Sequence, residues 1–452
     1  MSTPATSTVQ ALTVARLVRD AGGRALFVGG CVRDSLLGLA PKDYDIEVYG
    51  LAPDALRAAL EREFRIDAVG ESFCVFKLAH TQIDVSLPRT ENKIGAGHRD
   101  FAVASDPHLS FAAAARRDFT VNAIMRDPLT EEIIDPFDGV ADLRRGILRH
   151  VGDKFAEDPL RVLRAMQLAA RFEFAVAPET VALCSTMTQD DLPRERLAAE
   201  WEKLLLKGKR PSLGLEFLRA CDWLKFYPEL IPLIACEQYE RWHPEGDVWT
   251  HTLHALDALP LVLDPDAPQS DNLLVAVSAL CHDFGKPLVS RREDDGRITA
   301  HGHEHAADSL VRSFTERLWN LRGFADEVVK FVNAHMRPLS LVFQGASDKA
   351  YRRLAAEIGR LDLLAKIAEC DTRASPPNPP NLEMIAEFKR RAAALFVLQA
   401  PPAPIIQGRH LIALGMAPSP RFKTILDALY DKQLEGAFND ESGGLEALRK
   451  IL

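Results

Sequence analysis

The hydrophobic pattern changes period near residue 150, and that change constrains the fold more than any other property of the chain. Before it, short β-like runs (ALFVGG, DYDIEVY, CVFKLAH, QIDVSLP) alternate with helical stretches (VRDSLLG, PDALRAALERE, FAAAARRDFTVNAI). After it the strand pattern vanishes, and segments such as DPLRVLRAMQLAARF and RERLAAEWEKLLL carry apolar residues at i, i+3, i+4 and i+7. The expected fold class is α+β: a small mixed head with a short sheet, followed by an all-helical neck, body and tail. The expected divisions are 1–145 for the head, 146–245 for the neck and the start of the body, 246–375 for the body and 376–452 for the tail. Two proline-rich breaks, SPPNPPN at 375–381 and APPAP at 400–404, set off that tail. The N-terminal segment reads as a short helix with Leu12, Val14 and Leu17 turned inward, not as a secretory signal, because it lacks a basic start followed by an apolar block.

The 452 residues suffice for two to four domains, and 47% hydrophobic with 26% charged residues is an ordinary globular composition. No apolar run approaches the roughly 18 residues that a membrane span needs, so no membrane is expected among the partners. Seven cysteines at 31, 74, 184, 221, 236, 281 and 370 form no CxxC pair. That argues for a reducing, cytoplasmic setting and against disulfides or a cysteine zinc site. The net charge of −9 is unusual for a nucleic-acid enzyme, although local arginine clusters can hold a phosphate backbone on an acidic protein.

The first chemically informative stretch is LFVGGCVRDSLLGLAPKDYDIEV. A strand runs into Gly29 and Gly30 and a helix begins near Val32, so the backbone can approach an anion closely, with Arg33 in the first helical turn able to fork onto a triphosphate. In the next strand Asp43 and Asp45 are alternate residues and project together. Side-by-side carboxylates repel unless divalent cations neutralise them, and carboxylate-only ligation suits Mg²⁺. Taken alone, such a pair is more often two solvated acids on an edge strand. Asp84 in QIDVS is either a third metal acid or a salt-bridged core acid. AAARRDFTVNAI, read as helical, offers Arg116, Arg117 and Asp118 for phosphate and ribose hydroxyls, with Asn122 one turn below Asp118.

Together, GGCVRDSLLG…KDYDIE and RRDFTVNA resemble the paired signature of the class II nucleotidyltransferases of the polymerase-β superfamily, the CCA-adding enzymes and bacterial poly(A) polymerases. The resemblance implies that Gly30 and Arg33 contact the nucleotide, that Asp43 and Asp45 bind metal, and that Arg117 meets the incoming triphosphate. It also implies tRNA, CTP and ATP as partners, with a monomer and a homodimer both left open. LPRTENKIGAGHRDFAV resembles the flexible loop that full CCA-adding enzymes carry.

In KFAEDPLRVLRAMQLAARFEF, Glu157 and Asp158 open a helix and Arg161 and Arg164 follow one turn apart. Asp158 and Arg161 present an acceptor and a donor fork that can read the Watson–Crick edge of cytosine or adenine, whereas guanine and uracil would leave groups unpaired. The plainer reading is an acidic helix start with solvated arginines. The family resemblance assigns template roles to Glu157, Asp158 and Arg161 and a nucleotide contact to Arg164. PRERLAAEWEKLL, with Arg194, Glu195, Arg196, Glu200 and Lys203, resembles the next family helix, a structural support.

Eight of the 13 histidines fall between 243 and 335. Imidazoles and carboxylates brought together by several helices suit a transition-metal site, with Ni²⁺, Mn²⁺ or Co²⁺ expected from the mixed donors. The order His251, His282-Asp283, the trio His301, His303 and His305, His335, and Asp371 resembles the HD-domain metal phosphohydrolases. By that resemblance His251, His282, Asp283 and Asp371 are first-metal ligands, while His303 or His305, and His335, face the phosphate or a second metal. The implied activities are CCA addition plus phosphatase, 2′-nucleotidase and 2′,3′-cyclic phosphodiesterase action. Competing readings are a poly(A) polymerase, which usually has a basic tail and no HD site, and a phosphohydrolase with an RNA-binding head. The tail, IIQGRHLIALGMAPSPRFKTILDALYDKQLEG, resembles the segment that holds the far end of tRNA in this family, although simple packing explains its turns equally well.

Overall fold

The computed structural model describes residues 4–67, 75–93, 101–105, 114–190, 192–375 and 381–452. They divide into two compact units, Met1–Leu192 with Glu216–Asp222, and Pro193–Leu215 with Trp223–Leu452.

The first unit is built on strands β1 (Arg24–Val28), β2 (Tyr44–Tyr49), β3 (Ile66–Asp67), β4 (Val75–Leu78), β5 (Ile83–Ser86), β6 (Arg89–Lys93), β7 (Phe101–Ser105), β8 (Met125–Arg126) and β9 (Ile133–Ile134). Seven of them form one mixed sheet in the order β3-β4-β5-β2-β1-β8-β9, larger than the short sheet expected, and β6 pairs with β7 as a separate antiparallel ribbon. Alternation makes the sheet two-faced: Tyr44, Ile46 and Val48 are buried, whereas Asp43 and Asp45 are exposed. The helix Pro4–Asp20 packs on β1 and β2. Its fully inward residues are Ala11, Val14, Ala15 and Val18, while Leu12 and Leu17 are only partly buried, a shift of the expected face by a fraction of a turn.

FAAAARRDFTVNAI is not one helix. It makes a 3₁₀ turn at Ala114–Arg116, an extended Phe119 and a single helical turn at Thr120–Ala123. The cause is local: the Asp118 carboxylate accepts from the Phe119 amide at 2.8 Å and from the Asn122 side chain at 2.9 Å, and such bonds compete with helix formation. The expected neck helix forms over Leu160–Phe172 and buries Val162, Leu163, Ala165 and Met166.

In the second unit, helix Gln269–Cys281 is buried at every position from Leu273 to Cys281, as befits a central helix apolar on all sides. Helices Val248–Asp257, Phe324–Ala334, Leu361–Arg373 and Arg194–Lys207 pack around it. One strand pair does occur here, Arg291–Arg292 with Ile298–Thr299, where the sequence pattern predicted none. The tail builds a small core of its own from Ile406, Leu411, Ile425, Leu429, Phe438 and Leu448. Among the described residues, no helix is long and apolar enough to cross a membrane.

Candidate functional site

Register assembles the head site. Asp45 faces Val28 in the antiparallel β1–β2 pairing and Asp84 in the parallel β2–β5 pairing, so the end of β1 and two carboxylates lie in one row. The chain leaves Val28 through Gly29, whose φ of 73° and ψ of −136° only glycine adopts readily. A Cβ at Gly29 would stand 3.1 Å from Arg117 Nη1 and 3.5 Å from Asp45 Oδ2, so the bare backbone also makes room for these two side chains. The helix after it, Gly30–Leu36, has only two turns; the close approach of the turn matters more than a helix dipole.

Asp43, Asp45 and Asp84 line one cleft of about 270 Å³. Asp45 titrates above the usual carboxylate range. Although the residue reaches solvent, the protein packed around its carboxylate is the main cause, and the charges of Asp43, Asp84 and Glu47 add to it against the opposing pull of Arg117. Carboxylates crowded to that point fit a divalent cation, which would relieve both the repulsion and the lost hydration. Asp84 is about half exposed, with Lys77 at 3.9 Å, so it is not a core acid. Arg117 donates to Glu47 Oε1 at 2.6 Å, while its buried Nε has no hydrogen-bond partner.

Two expected nucleotide contacts are turned inward. Arg33 is 5% exposed; its fork grips Asp34 at 2.6 and 2.9 Å, its Nη1 donates to Asn122 at 2.7 Å, and its face lies 4.4 Å from the Phe172 centroid. It presents no open fork to a triphosphate. Asp118 is 7% exposed and already accepts from the Phe119 amide, Asn122 and Arg164. Burial pushes its pKa up, but Arg164, Asn122 and the Phe119 amide hold it below the usual carboxylate range. The chain Asp34–Arg33–Asn122–Asp118–Arg164 therefore braces three segments beneath the glycine turn, a role that a burial-blind sequence pattern hides.

In the neck, Asp158 is extended and its Oδ1 accepts from the Leu160 amide at 3.1 Å, capping the helix start. Arg161 donates Nη1 to the Lys154 carbonyl at 2.6 Å and Nη2 to the Arg116 carbonyl at 2.7 Å. These bonds use two of the five N–H donors of a guanidinium, so a base edge could be read without breaking either. Glu157 ends the preceding 3₁₀ turn.

The histidine-rich cluster converges as expected. His282 and Asp283 follow the end of the central helix, and His251 and Asp371 come from helices packed beside it. His251 Nε2 lies 3.0 Å from Asp371 Oδ1 and 3.8 Å from Asp283 Oδ2, and His282 Nε2 lies 3.3 Å from Asp283. The third imidazole is His303, whose Nε2 is 3.3 Å from Asp283 Oδ1, with the His335 ring 5.3 Å away. His305 and His301 are exposed, and of the trio His301 and His303 line the cavity over the cluster. Gly285 lets the two segments meet: a Cβ there would fall 1.9 Å from the His303 carbonyl, so only glycine lets this turn dock.

The cluster fits a metal on its own chemistry. His282, His303 and His335 each point Nδ1 at a main-chain carbonyl, at 2.8, 2.9 and 2.6 Å, which leaves Nε2 for a cation. Among the described residues, the buried His282 Nε2, His303 Nε2 and Asp283 Oδ1 make no well-aligned hydrogen bond, although each lies about 3.3 Å from another atom of the cluster. Burial, seconded by His282, lowers the His335 pKa to about 4, so it stays a neutral donor. Burial opposes a proton on His251, yet its bonds to Asp371 and Glu245 raise it to about 9. Carboxylates gathered this tightly around one imidazole favour a cation between them.

Sequence reasoning missed Glu245, His243 and Lys286. The fully buried Glu245 carboxylate accepts from His251 at 2.6 Å, His243 at 2.9 Å and Ser375 at 3.0 Å. Lys286 Nζ is 2.7 Å from Asp283. The run HPEGD has no metal-ligand spacing; only its position just ahead of His251 hinted at the link.

A family model described as the poly A polymerase head domain matches residues 25–149, and an HD domain model matches residues 248–374. The multifunctional CCA protein of Nitrosospira multiformis is 35% identical over 367 residues, covering 78% of this chain and 84% of the relative. That of Nitrosococcus oceani is 40% identical over 408 residues, covering 86% and 92%. Among solved structures, the Bacillus stearothermophilus CCA-adding enzyme in complex with CTP aligns with a TM-score of 0.66 at 24% identity, covering 100% of this chain and 98% of that one. The Thermotoga maritima CCA-adding enzyme complexed with tRNA aligns at 0.59 and 19% identity, covering 98% and 95%. At these identities the two structures speak for a shared fold.

Proposed function

This chain belongs to the family of bacterial multifunctional CCA proteins, and on that premise we propose that its head adds and repairs the 3′-terminal CCA of tRNA while its HD domain hydrolyses phosphate esters. The nucleotides are CTP and ATP, and no nucleic-acid template is used. The observation that carries the reading is the row Val28–Asp45–Asp84 with Gly29 and Arg117 at its end.

In the head, Asp43, Asp45 and Asp84 hold divalent cations, and their all-oxygen donor set favours Mg²⁺. When bound, such cations neutralise triphosphate charge, lower the pKa of the tRNA 3′-hydroxyl and steady the departing pyrophosphate. Gly29 and Gly30 admit the triphosphate against bare backbone, and Arg117, whose Nη1 stands at Gly29 where Asp45 also approaches, meets it. Arg33 and Asp118 position that turn from below. Asp158 and Arg161, with Glu157 and Arg164 beside them, select cytosine or adenine by their donor and acceptor edges, while two main-chain carbonyls hold the Arg161 guanidinium in place.

In the HD domain, His251, His282, Asp283 and Asp371 hold a transition metal such as Ni²⁺, Mn²⁺ or Co²⁺, with His303 and His335 beside it. When bound, it polarises the phosphate and lowers the pKa of the attacking water. Lys286 supplies a second positive charge at the same cavity. The domain plan follows: a nucleotidyltransferase head, a base-selecting neck, a hydrolytic body over 246–375 and a tail.

The test is product sizing after incubation with Mg²⁺, CTP, ATP and tRNA transcripts ending before C, after C and after CC. Growth by three, two and one nucleotides, stopping there, is the expected result. Open-ended A ladders would point to poly(A) synthesis instead.

A further inference from the structure

The row of side chains that carries the head site does not end at Asp84. In register, Lys77 of β4 stands opposite Asp84 of β5, and Asp67 of β3 stands opposite Lys77. Asp45, Asp84, Lys77 and Asp67 thus follow one another across four neighbouring strands on one face of the sheet, while Phe76, Leu78, Ile83 and Val85 are buried on the other. Lys77 lines the same cleft as the three carboxylates, and among the described residues lining it Lys77 is the one fixed cation. Its Nζ lies 3.9 Å from Asp84 and its side chain is 55% exposed, so the ammonium is loosely held and open to solvent. A metal site does not account for it, because a fixed positive charge beside a metal-binding carboxylate repels the cation. An anion that arrives on this side does.

The direction of the reaction says which anion. Gly29 and Arg117, the triphosphate end, lie on the β1 side of Asp45, whereas Asp84 and Lys77 lie on its β5 side. Attacking and leaving oxygens stand in line on opposite sides of the phosphorus. The 3′-oxygen of the RNA forms its bond to the α-phosphorus as the bond to the pyrophosphate oxygen breaks, and the hydroxyl proton passes to water. With pyrophosphate leaving toward β1, the RNA end enters over β5 and β4. Neighbouring strands lie about 4.8 Å apart, so Lys77 is one strand away from Asp84, as the last phosphodiester is one sugar away from the 3′-hydroxyl. We propose that Lys77 holds that phosphodiester, the one joining the two terminal nucleotides of the RNA, and so sets the 3′-hydroxyl against the carboxylate row. The proposal rests on the nucleotide-addition reading of the head.

The test uses the full chain with Mg²⁺, ATP and two tRNAs ending in CC, one natural and one whose last phosphodiester is a neutral methylphosphonate. In the unaltered protein the neutral linkage lowers kcat/KM for AMP addition about tenfold. In Lys77→Met the natural tRNA is reduced by about the same factor and the neutral linkage costs little more, whereas Lys77→Arg keeps the two tRNAs apart. No effect of the neutral linkage in the unaltered protein, or an equal loss from it in Lys77→Met, would overturn the proposal. If the unaltered protein extends neither tRNA, the nucleotide-addition reading fails, and binding of the two tRNAs by filter retention judges the subsite. Affinity about tenfold weaker for the neutral linkage in the unaltered protein alone supports it; the same difference in both proteins, or none in either, overturns it.

Discussion

Asp45 and Asp84 stand opposite one another in register on adjacent parallel strands, although 39 positions separate them in sequence. Among the described residues Asp84 pairs with Lys77, at 3.9 Å and half exposed, and exposed pairs contribute under about 1 kcal/mol. If Asp84 serves the metal, Asp84→Asn lowers kcat for CTP addition about tenfold or more with little change in melting temperature. Unchanged addition would make it a solvated acid.

Asp118 is buried and hydrogen-bonded on all sides that the structure describes, so its loss is felt in the fold before the nucleotide. Asp118→Ala strips Arg164, Asn122 and the Phe119 amide of their acceptor. Because Arg164 is about a third exposed, the cost is near 2 kcal/mol, short of a fully buried pair. Denaturant unfolding measures it. A large rise in KM for CTP with unaltered stability would restore Asp118 as a direct nucleotide contact.

Much of this was legible in sequence because the signals are local. The strand-to-turn sequence FVGG, the alternation of Asp43 and Asp45, and the helical period of 160–172 each depend on a few neighbouring residues. What escaped depends on tertiary burial. Arg33 and Asp118 carry the charges of a phosphate site, but the Phe172 ring and Arg164, far along the chain, turn them into bracing. His303 is the buried member of the trio, and its main chain docks against Gly285, a residue with no metal chemistry at all. The predicted loop at 87–103 is described only as the β6–β7 ribbon up to Lys93 and from Phe101; 94–100 lie outside the described residues.

Gly285 gives a sharp structural prediction. Gly285→Ala would drive a methyl group into the His303 carbonyl, 1.9 Å away, where main chain cannot yield cheaply. The expected cost is about 1–3 kcal/mol of stability, read as a lower melting temperature, with looser metal binding as His303 shifts. Normal stability and metal content would mean that the turn docks differently.

Glu245 acts through His251, so its role is positioning and its readout is the metal itself. Glu245→Gln keeps the shape but weakens the bond to His251 Nδ1, and metal affinity falls about 10- to 100-fold. Metal content after dialysis against a graded chelator series shows the loss, and excess metal restores hydrolysis. Unaltered affinity would leave Glu245 a purely structural acid.

The central claim is that one chain carries two chemistries on separate residues, and crossing two variants tests it most directly. Asp45→Ala and His282→Ala are each assayed for CTP and ATP incorporation into tRNA lacking its CCA and for hydrolysis of a nucleoside 2′-phosphate. The account predicts that Asp45→Ala loses incorporation by about 100-fold or more and keeps hydrolysis, while His282→Ala does the reverse. Incorporation that survives in Asp45→Ala would contradict it.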